Sequence, residues 1–366
     1  MKIPFFNYPA LYEENANLYQ EIFKQIGSKG AFIMQKELEC FETELAEYLN
    51  CKYAIGVADG TAALTFSLKA ANIKPGDEVI VSSHTFIATA AAIQNLGATP
   101  VLVDCLPDST INTDLIEKAI TPSTKAIMPT QLNGRISNMT KIEELSLKYK
   151  LKIIEDSCQA LGAKYKGKYA GLFGEAGSFS FFPAKTLGCF GDGGAVVTNS
   201  PEVAEKIFRL RNHGRDSDGF VREWGHNGRL DNLQAAILSV KLKNYKLNIE
   251  RRRHLANIYF TNLSSINDLI LPPSPELSPN HYDIYQNFEV QIENRDEFRK
   301  YLLKNGIGTI IQWGGWMLHH FKDLHIMGEA PYANLMSKRM VLIPMHHLIS
   351  DNEINYICSI IKSYFK

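Results

Sequence analysis

The chain has 366 residues, of which 45% are hydrophobic, and its 39 lysines and arginines equal its 39 acidic residues. That length exceeds one small core and predicts two domains, or one large domain with an appendage. A net charge of zero gives no overall field to draw in nucleic acid or an anionic membrane, so any phosphate-bearing ligand must be held by a local site.

The six cysteines, at 40, 51, 105, 158, 189 and 358, form no C-x-x-C pair. This disfavours a zinc site or a disulfide framework and predicts reduced, mostly buried thiols, with no metal bound. The opening Met-Lys-Ile-Pro-Phe-Phe-Asn-Tyr-Pro lacks a sustained apolar stretch, and no later window approaches eighteen uninterrupted apolar residues. A cytoplasmic chain with no membrane partner is expected.

In chain order, the first thirty residues read as an arm with one helix, closed by Gly27-Ser28-Lys29-Gly30. Leu38, Phe41, Leu45 and Tyr48 then recur at helical spacing, and Tyr53-Ala54-Ile55-Gly56-Val57 follows as a short apolar strand. Asp59-Gly60-Thr61 opens a helix over 62–71. After the turn Lys74-Pro75-Gly76-Asp77, strands predicted at 78–82, 100–103, 125–128 and 151–154 alternate with helices predicted at 87–96, 114–120 and 139–149. This pattern predicts an α/β fold with a mainly parallel sheet covered by helices on both faces, and ligands of such sheets sit beyond the carboxyl ends of the strands. Asp59-Gly60-Thr61, Ser82 to Phe86, and Asp156 all follow strand ends and can converge on one crevice.

Gly191, Gly193 and Gly194 allow a sharp turn into a strand at 195–198, without forming a G-x-G-x-x-G nucleotide loop. A basic helix around 241–253 leads to a break from Leu271-Pro272-Pro273-Ser274-Pro275 through Pro279-Asn280. Beyond it lie an alternating segment near 282–290, a helix over 296–303, and a last helix from Asp351 with Ile354, Ile357 and Ile360 on one stripe. The division expected is 1–245, a large α/β cofactor-binding domain with its N-terminal arm, and 246–366, a smaller α+β domain.

The chemistry centres on Lys185, in the run Ser178-Phe179-Ser180-Phe181-Phe182-Pro183-Ala184-Lys185-Thr186-Leu187-Gly188, downstream of an apolar strand ending in Glu155-Asp156. A lysine held where its ammonium is poorly solvated can lose its proton and condense with an aldehyde. A carboxylate at a strand end can keep a pyridine nitrogen protonated. The pair suggests pyridoxal phosphate (PLP), although Asp156 could instead cap a helix and Lys185 could be a solvated charge.

Five stretches together resemble the DegT/DnrJ/EryC1/StrS family of PLP-dependent sugar aminotransferases, of fold type I. They are Asp59-Gly60-Thr61-Ala62-Ala63-Leu64, His84-Thr85-Phe86-Ile87-Ala88-Thr89, Glu155-Asp156-Ser157-Cys158-Gln159-Ala160-Leu161-Gly162-Ala163, the lysine run, and Gly225-His226-Asn227-Gly228-Arg229-Leu230-Asp231. The resemblance implies that Lys185 joins the cofactor and shuttles protons, and that Asp156 pairs with the pyridinium nitrogen. It further implies that Gln159 meets the ring hydroxyl and that Phe86 and Cys158 pack on the two ring faces. Cys158 stands where many relatives have alanine, a small apolar exchange.

Gly60, Thr61, Ala62 and Ser180 would hold the phosphate, the first three at the positive end of a helix. Asn227 resembles a residue that reaches the neighbouring subunit's phosphate, implying a homodimer with composite active sites. Arg215, Arg222 and Arg229 are candidates for a substrate diphosphate, with surface charge as the alternative.

Gly308-Thr309-Ile310-Ile311-Gln312-Trp313-Gly314-Gly315, followed by His319-His320, is similar to the branch that aminates C3 of dTDP-3-keto-6-deoxyhexoses. Trp313, His319 and His320 would then line the sugar pocket, unless they are core. The implied partners are L-glutamate and a nucleotide-linked keto sugar, and the product would serve a glycan such as lipopolysaccharide. A C4 aminotransferase acting on a UDP- or dTDP-4-keto sugar, and a catalytically silent regulator of the same fold, are the alternatives. A dehydratase of the family would carry histidine in place of Lys185.

Overall fold

The computed structural model describes residues 1–324 and 326–366. The first half of the chain supplies β1 (Tyr53–Val57), β2 (Glu78–Ser82), β3 (Thr99–Val103), β4 (Thr124–Met128), β5 (Lys152–Asp156), β6 (Lys164–Tyr165), β7 (Lys168–Tyr169) and β8 (Ala176–Ser180). The second half adds β9 (Gly194–Thr198), β10 (His281–Tyr282), β11 (Phe288–Gln291) and β12 (Met340–Ile343).

Seven of these form one sheet in the order β1-β9-β8-β5-β4-β2-β3. The contacts β2 with β3, β2 with β4, β4 with β5 and β5 with β8 are parallel, and only β9 runs against its neighbours β1 and β8. The expected α/β architecture is therefore present, with one reversed strand.

The sheet is apolar on both faces because both are covered. Ile153 points into a core shared with Phe41, Ile142 and Leu238 from the helices Lys36–Leu49, Met139–Tyr149 and Asn232–Lys243. Its neighbour Ile154 points the other way, toward Leu64 and Ile93 from the helices Gly60–Ala70 and Ile87–Gln94. Burying each such side chain contributes about 1.5–3 kcal/mol.

A separate core gathers Tyr259, Phe288, Ile343 and Ile357 around the antiparallel pair of β11 and β12, and Ile3 from the far N-terminus joins it. The helix Tyr245–Leu263 serves both cores, with Tyr245 and Ile249 in the first and Leu255, Tyr259 and Leu263 in the second. The division expected at 245/246 thus falls in the first turn of one continuous helix.

Several local expectations are corrected. The arm holds two helices, Tyr8–Glu13 and Ala16–Lys29, separated at Glu14 and Asn15; in the first, Asn7 accepts from the Ala10 amide at 3.3 Å. The basic helix is two helices interrupted at Asn244, whose φ of −103° leaves the helical range. The 114–120 helix is one turn, Thr113–Ile116, tightening into a 3₁₀ turn at Glu117–Ala119.

The alternating segment is broken by Tyr285, at φ 50°, into β10 and β11. In the last helix the buried stripe is Ile354, Ile357, Cys358 and Ile361, so Ile361 and not Ile360 completes the i, i+3, i+4, i+7 pattern. All six cysteines are free, but only Cys105, Cys189 and Cys358 are buried. Among the described residues, no helix is long and apolar enough to cross a membrane.

Candidate active site

Asp156 is the last residue of β5, and alternation along the strand sends its neighbour Glu155 to the opposite side. Glu155 is fully buried, and its carboxylate accepts from Gln131 Nε2 at 2.8 Å, the Gly171 amide at 3.0 Å and the Phe173 amide at 2.6 Å. Burial pushes its pKa up against those hydrogen bonds. It is a scaffold group, while Asp156 faces a cleft of about 560 Å³ beyond the strand ends.

A row of hydroxyls aims the Asp156 carboxylate. Thr89 Oγ1 donates to Asp156 Oδ2 at 2.6 Å, Thr85 and Thr89 hydroxyls lie 2.7 Å apart, and Thr130 Oγ1 donates to Thr85 at 2.9 Å. With the proton of Thr89 committed to the carboxylate, Thr85 must donate to Thr89, so every hydroxyl in the row points its proton toward Asp156. The Cys158 amide donates to the other oxygen at 3.2 Å. Hydrogen bonds to an ionised acceptor are the strong ones.

Lys185 lines the same cleft. Desolvation there lowers its pKa from the ordinary lysine value, opposed by the nearby Cys158 and Asp156. Gln286 brackets the lysine, donating to the Ala184 carbonyl at 2.9 Å and accepting from the Thr186 amide at 2.8 Å. Burial, then the Asp156 charge, pushes the Cys158 thiol up, which keeps it protonated and suits it to packing.

At the other end of the cleft stands the first turn of the helix Gly60–Ala70. Asp59 caps it, accepting from the Ala62 amide at 2.8 Å, so Ala62 spends its donor inside the cap. Gly60, Thr61 and Ser180 line the cleft itself. A Cβ on Gly60 would lie 2.9 Å from Ser180 Cβ and 3.2 Å from Cys158 Sγ, so glycine lets the helix start press against β8.

Gln159 Oε1 accepts from the Asn133 amide at 2.9 Å, which leaves its Nε2 donors directed to other partners. Phe86 and Trp313 complete the wall, their rings 5.7 Å apart. Trp313 has φ 49°, an outlier for a bulky side chain of the kind that gathers at ligand sites.

The structure thus brings Gly60, Thr61, Phe86, Asp156, Cys158, Gln159, Ser180, Lys185 and Trp313 to one cleft. The other candidates lie apart from it. Arg215 is exposed, and Arg222 pairs with Asp216 at 2.6 Å. Arg229 Nη2 donates to Asn227 Oδ1 at 2.6 Å, on the surface of the single chain. The rings of His319 and His320 lie tilted with their centroids 3.9 Å apart, and burial with the His320 charge pushes His319 down to about 4.

Missed from the sequence were Thr89, Thr130, Gln286 and the arm residues Phe5 and Phe6, which also line the cleft or aim its groups. The i, i+4 spacing of Thr85 and Thr89 at a helix start was the available signal.

The donor set fits pyridoxal phosphate. Amides at a helix N-terminus and the Ser180 hydroxyl suit its phosphate. Phe86 and Cys158 offer apolar surfaces for a ring, and the aimed Asp156 carboxylate suits a protonated ring nitrogen. Lys185 supplies the amine.

A profile of the DegT/DnrJ/EryC1/StrS aminotransferase family matches residues 13–362. The dTDP-3-amino-3,4,6-trideoxy-alpha-D-glucose transaminase of Streptomyces venezuelae is 40% identical over 90% of this chain and 86% of its own length. The dTDP-3-amino-3,6-dideoxy-alpha-D-galactopyranose transaminase of Aneurinibacillus thermoaerophilus is 37% identical over 99% of both. The solved structure of S. venezuelae DesV superposes with a TM-score of 0.95 at 36% identity, covering 99% of this chain and 98% of DesV.

Proposed function

The chain belongs to the DegT/DnrJ/EryC1/StrS aminotransferase family, and on that premise we propose that it transfers an amino group from L-glutamate to C3 of a dTDP-linked 3-keto-6-deoxyhexose. The product is a dTDP-3-amino-3,6-dideoxyhexose destined for a glycan such as lipopolysaccharide, made in the cytoplasm by a homodimer. The observation that carries the reading is Lys185 and a hydroxyl-aimed Asp156 lining one cleft, in a chain whose two relatives above are both named for 3-amino dTDP sugars.

Pyridoxal phosphate, when bound, supplies an aldehyde for amines and a ring that draws electrons from the reacting carbon. Asp156 keeps the proton on the ring nitrogen, and Thr89 holds the carboxylate in place. Gln159 Nε2, left free by the Asn133 contact at its oxygen, would donate to the ring hydroxyl. Lys185 Nζ, kept poorly solvated, gives up its proton readily, takes one from the donor and returns one to the sugar carbon. Gly60, Thr61 and Ser180 anchor the phosphate.

Trp313 with Phe86 presents an aromatic wall against which a deoxysugar can pack. In the proposed homodimer, Asn227 of the partner subunit would complete the phosphate site, and Arg215, Arg222 and Arg229 would meet the nucleotide diphosphate.

The test compares purified dTDP-3-keto- and dTDP-4-keto-6-deoxyhexoses with L-glutamate as donor. Amination of the 3-keto sugar alone is expected. Amination of the 4-keto sugar alone would move the reaction to C4, and no amination of either would remove the assignment.

A further inference from the structure

On another side of Lys185 lies a second cavity, of about 130 Å³, which shares that lysine with the cleft. Its walls bring together Lys241, Arg252, His346 and His347 with a single acidic side chain, Glu14. Glu14 is engaged, its carboxylate 3.1 Å from His347 Nε2.

Among the described residues, neither Arg252 nor Lys241 forms an ion pair, although Lys241 lies over the Phe190 ring at 4.5 Å and the Glu14 charge opposes its burial. Arg252 is only 6% exposed, and its Nη1 donates to the carbonyls of Tyr285 at 2.9 Å, Met345 at 2.9 Å and Gln286 at 3.3 Å. Its Nε has no hydrogen-bond partner but is sealed from solvent, and the ring nitrogens of His346 are sealed likewise, with the Pro4 backbone as their nearest polar neighbour. Lys241 Nζ donates to the Gly188 carbonyl at 2.5 Å. Carbonyl dipoles satisfy donors without neutralising charge, and charges this buried are ordinarily paired. Burial pushes Arg252 down to about 10 and lowers Lys241, which is the cost of leaving them uncompensated.

We propose that this cavity is an oxyanion site, in which Arg252 and Lys241 hold a small carboxylate or inorganic phosphate and His346 stands in the wall beside them. A cavity of about 150 Å³ takes a molecule the size of benzene, so this space suits a carboxylate on a short chain. Two sources offer that chemistry: a carboxylate of the amino donor reaching past Lys185, or a free anion. The donor source rests on the aminotransferase reading, whereas the anion site itself does not.

The test is calorimetric titration of the PLP-loaded protein, in buffer free of oxyanions, with glutarate and separately with inorganic phosphate. One saturable site per chain is expected for at least one of them, weakened tenfold or more in Lys241→Gln. Arg252 also ties three carbonyls, so Arg252→Lys can fail by misfolding; Lys241→Gln and His346→Gln leave those ties intact.

Glutarate that binds and competes with L-glutamate assigns the site to the donor. Phosphate that binds without competing assigns it to a free anion. Saturable binding of neither, or equal affinity in folded Lys241→Gln and His346→Gln, overturns the proposal. Loss of keto-sugar amination with anion binding intact would instead sink the aminotransferase reading and leave this site standing.

Discussion

The two cavities that share Lys185 are built on opposite electrostatic plans. In the cleft, a carboxylate is held by a row of hydroxyls and a backbone amide, so its main polar group is aimed before any ligand arrives. In the second cavity Arg252 donates only to carbonyls, Lys241 donates to a carbonyl and lies over the Phe190 ring, and the one carboxylate, Glu14, is taken by His347. Preorganised groups serve chemistry because they need no rearrangement at the moment of reaction. Uncompensated buried charge, by contrast, is a demand that a ligand can meet. One lysine therefore stands between a site that is finished and a site that awaits its counter-ion.

The sharpest way to break this contrast is to remove the shared residue. Lys185→Ala is expected to cut amination of the 3-keto sugar by about 10²–10⁴-fold, the usual worth of a positioned proton-transfer group. Product formation measured by chromatography, with folding checked by circular dichroism, decides it. Near wild-type turnover without added amine would show that the cleft's lysine is not the working base.

Next comes the cleft's preorganisation. Asp156→Asn keeps the shape and removes the charge, and a hydrogen bond to a charged group is worth about 1.5–3 kcal/mol, or about 10–150-fold in rate. Thr89→Val removes the 2.6 Å donor to Asp156 and the acceptor of Thr85 while leaving the carboxylate charge in place, so a part of that range, about fivefold in kcat, is expected. Thr89→Ser should restore both kcat and the visible titration of the bound cofactor. If Thr89→Val left that titration unmoved, the hydroxyl row would be packing and not a positioning device. Trp313→Ala should raise KM for the sugar by about threefold to tenfold while sparing the glutamate half-reaction, since an aromatic contact adds about 0.5–1.5 kcal/mol.

The comparison also explains what the sequence revealed. The sheet was legible because its strands are short unbroken apolar runs between turn residues, and the reversed β9 was not, because pairing direction leaves no mark on composition. Asp156, Lys185 and the Gly60–Thr61 helix start lie in contiguous runs tied to strand ends, so local pattern located them. Gln286 brackets Lys185 from 102 residues beyond Ala184, and Thr130 acts on Thr85 from 45 residues away. Partners at such separations meet only through the fold.

The second cavity was invisible for the same reason. Its walls draw on the arm, the lysine loop, the helix Tyr245–Leu263 and the turn after β12, and Arg252 reads in sequence as one more charge in a basic helix. Asn227 and the three arginines had a family pattern but no place in the single chain's cleft, which only the proposed second chain would supply.

The smallest expected effect separates the cavities by pH. Burial, then the charges of Arg252 and His347, pushes His346 down to about 4, with Glu353 opposing. An unfolded histidine titrates at about 6.5, so between that pH and about 4 the unfolded chain binds the extra proton and stability falls as pH falls. His281 and His319 are also pushed down to about 4, so His346→Gln should remove only part of the loss.

An oxyanion beside His346 favours its charged form and must therefore protect more at low pH. Thermal melts at pH 7 and pH 5, with and without glutarate, measure this directly. Protection that grows at pH 5 in the wild type and not in His346→Gln ties the histidine to the anion. Equal protection at both values would mean that the anion is held by Arg252 and Lys241 alone, with His346 a bystander in the wall.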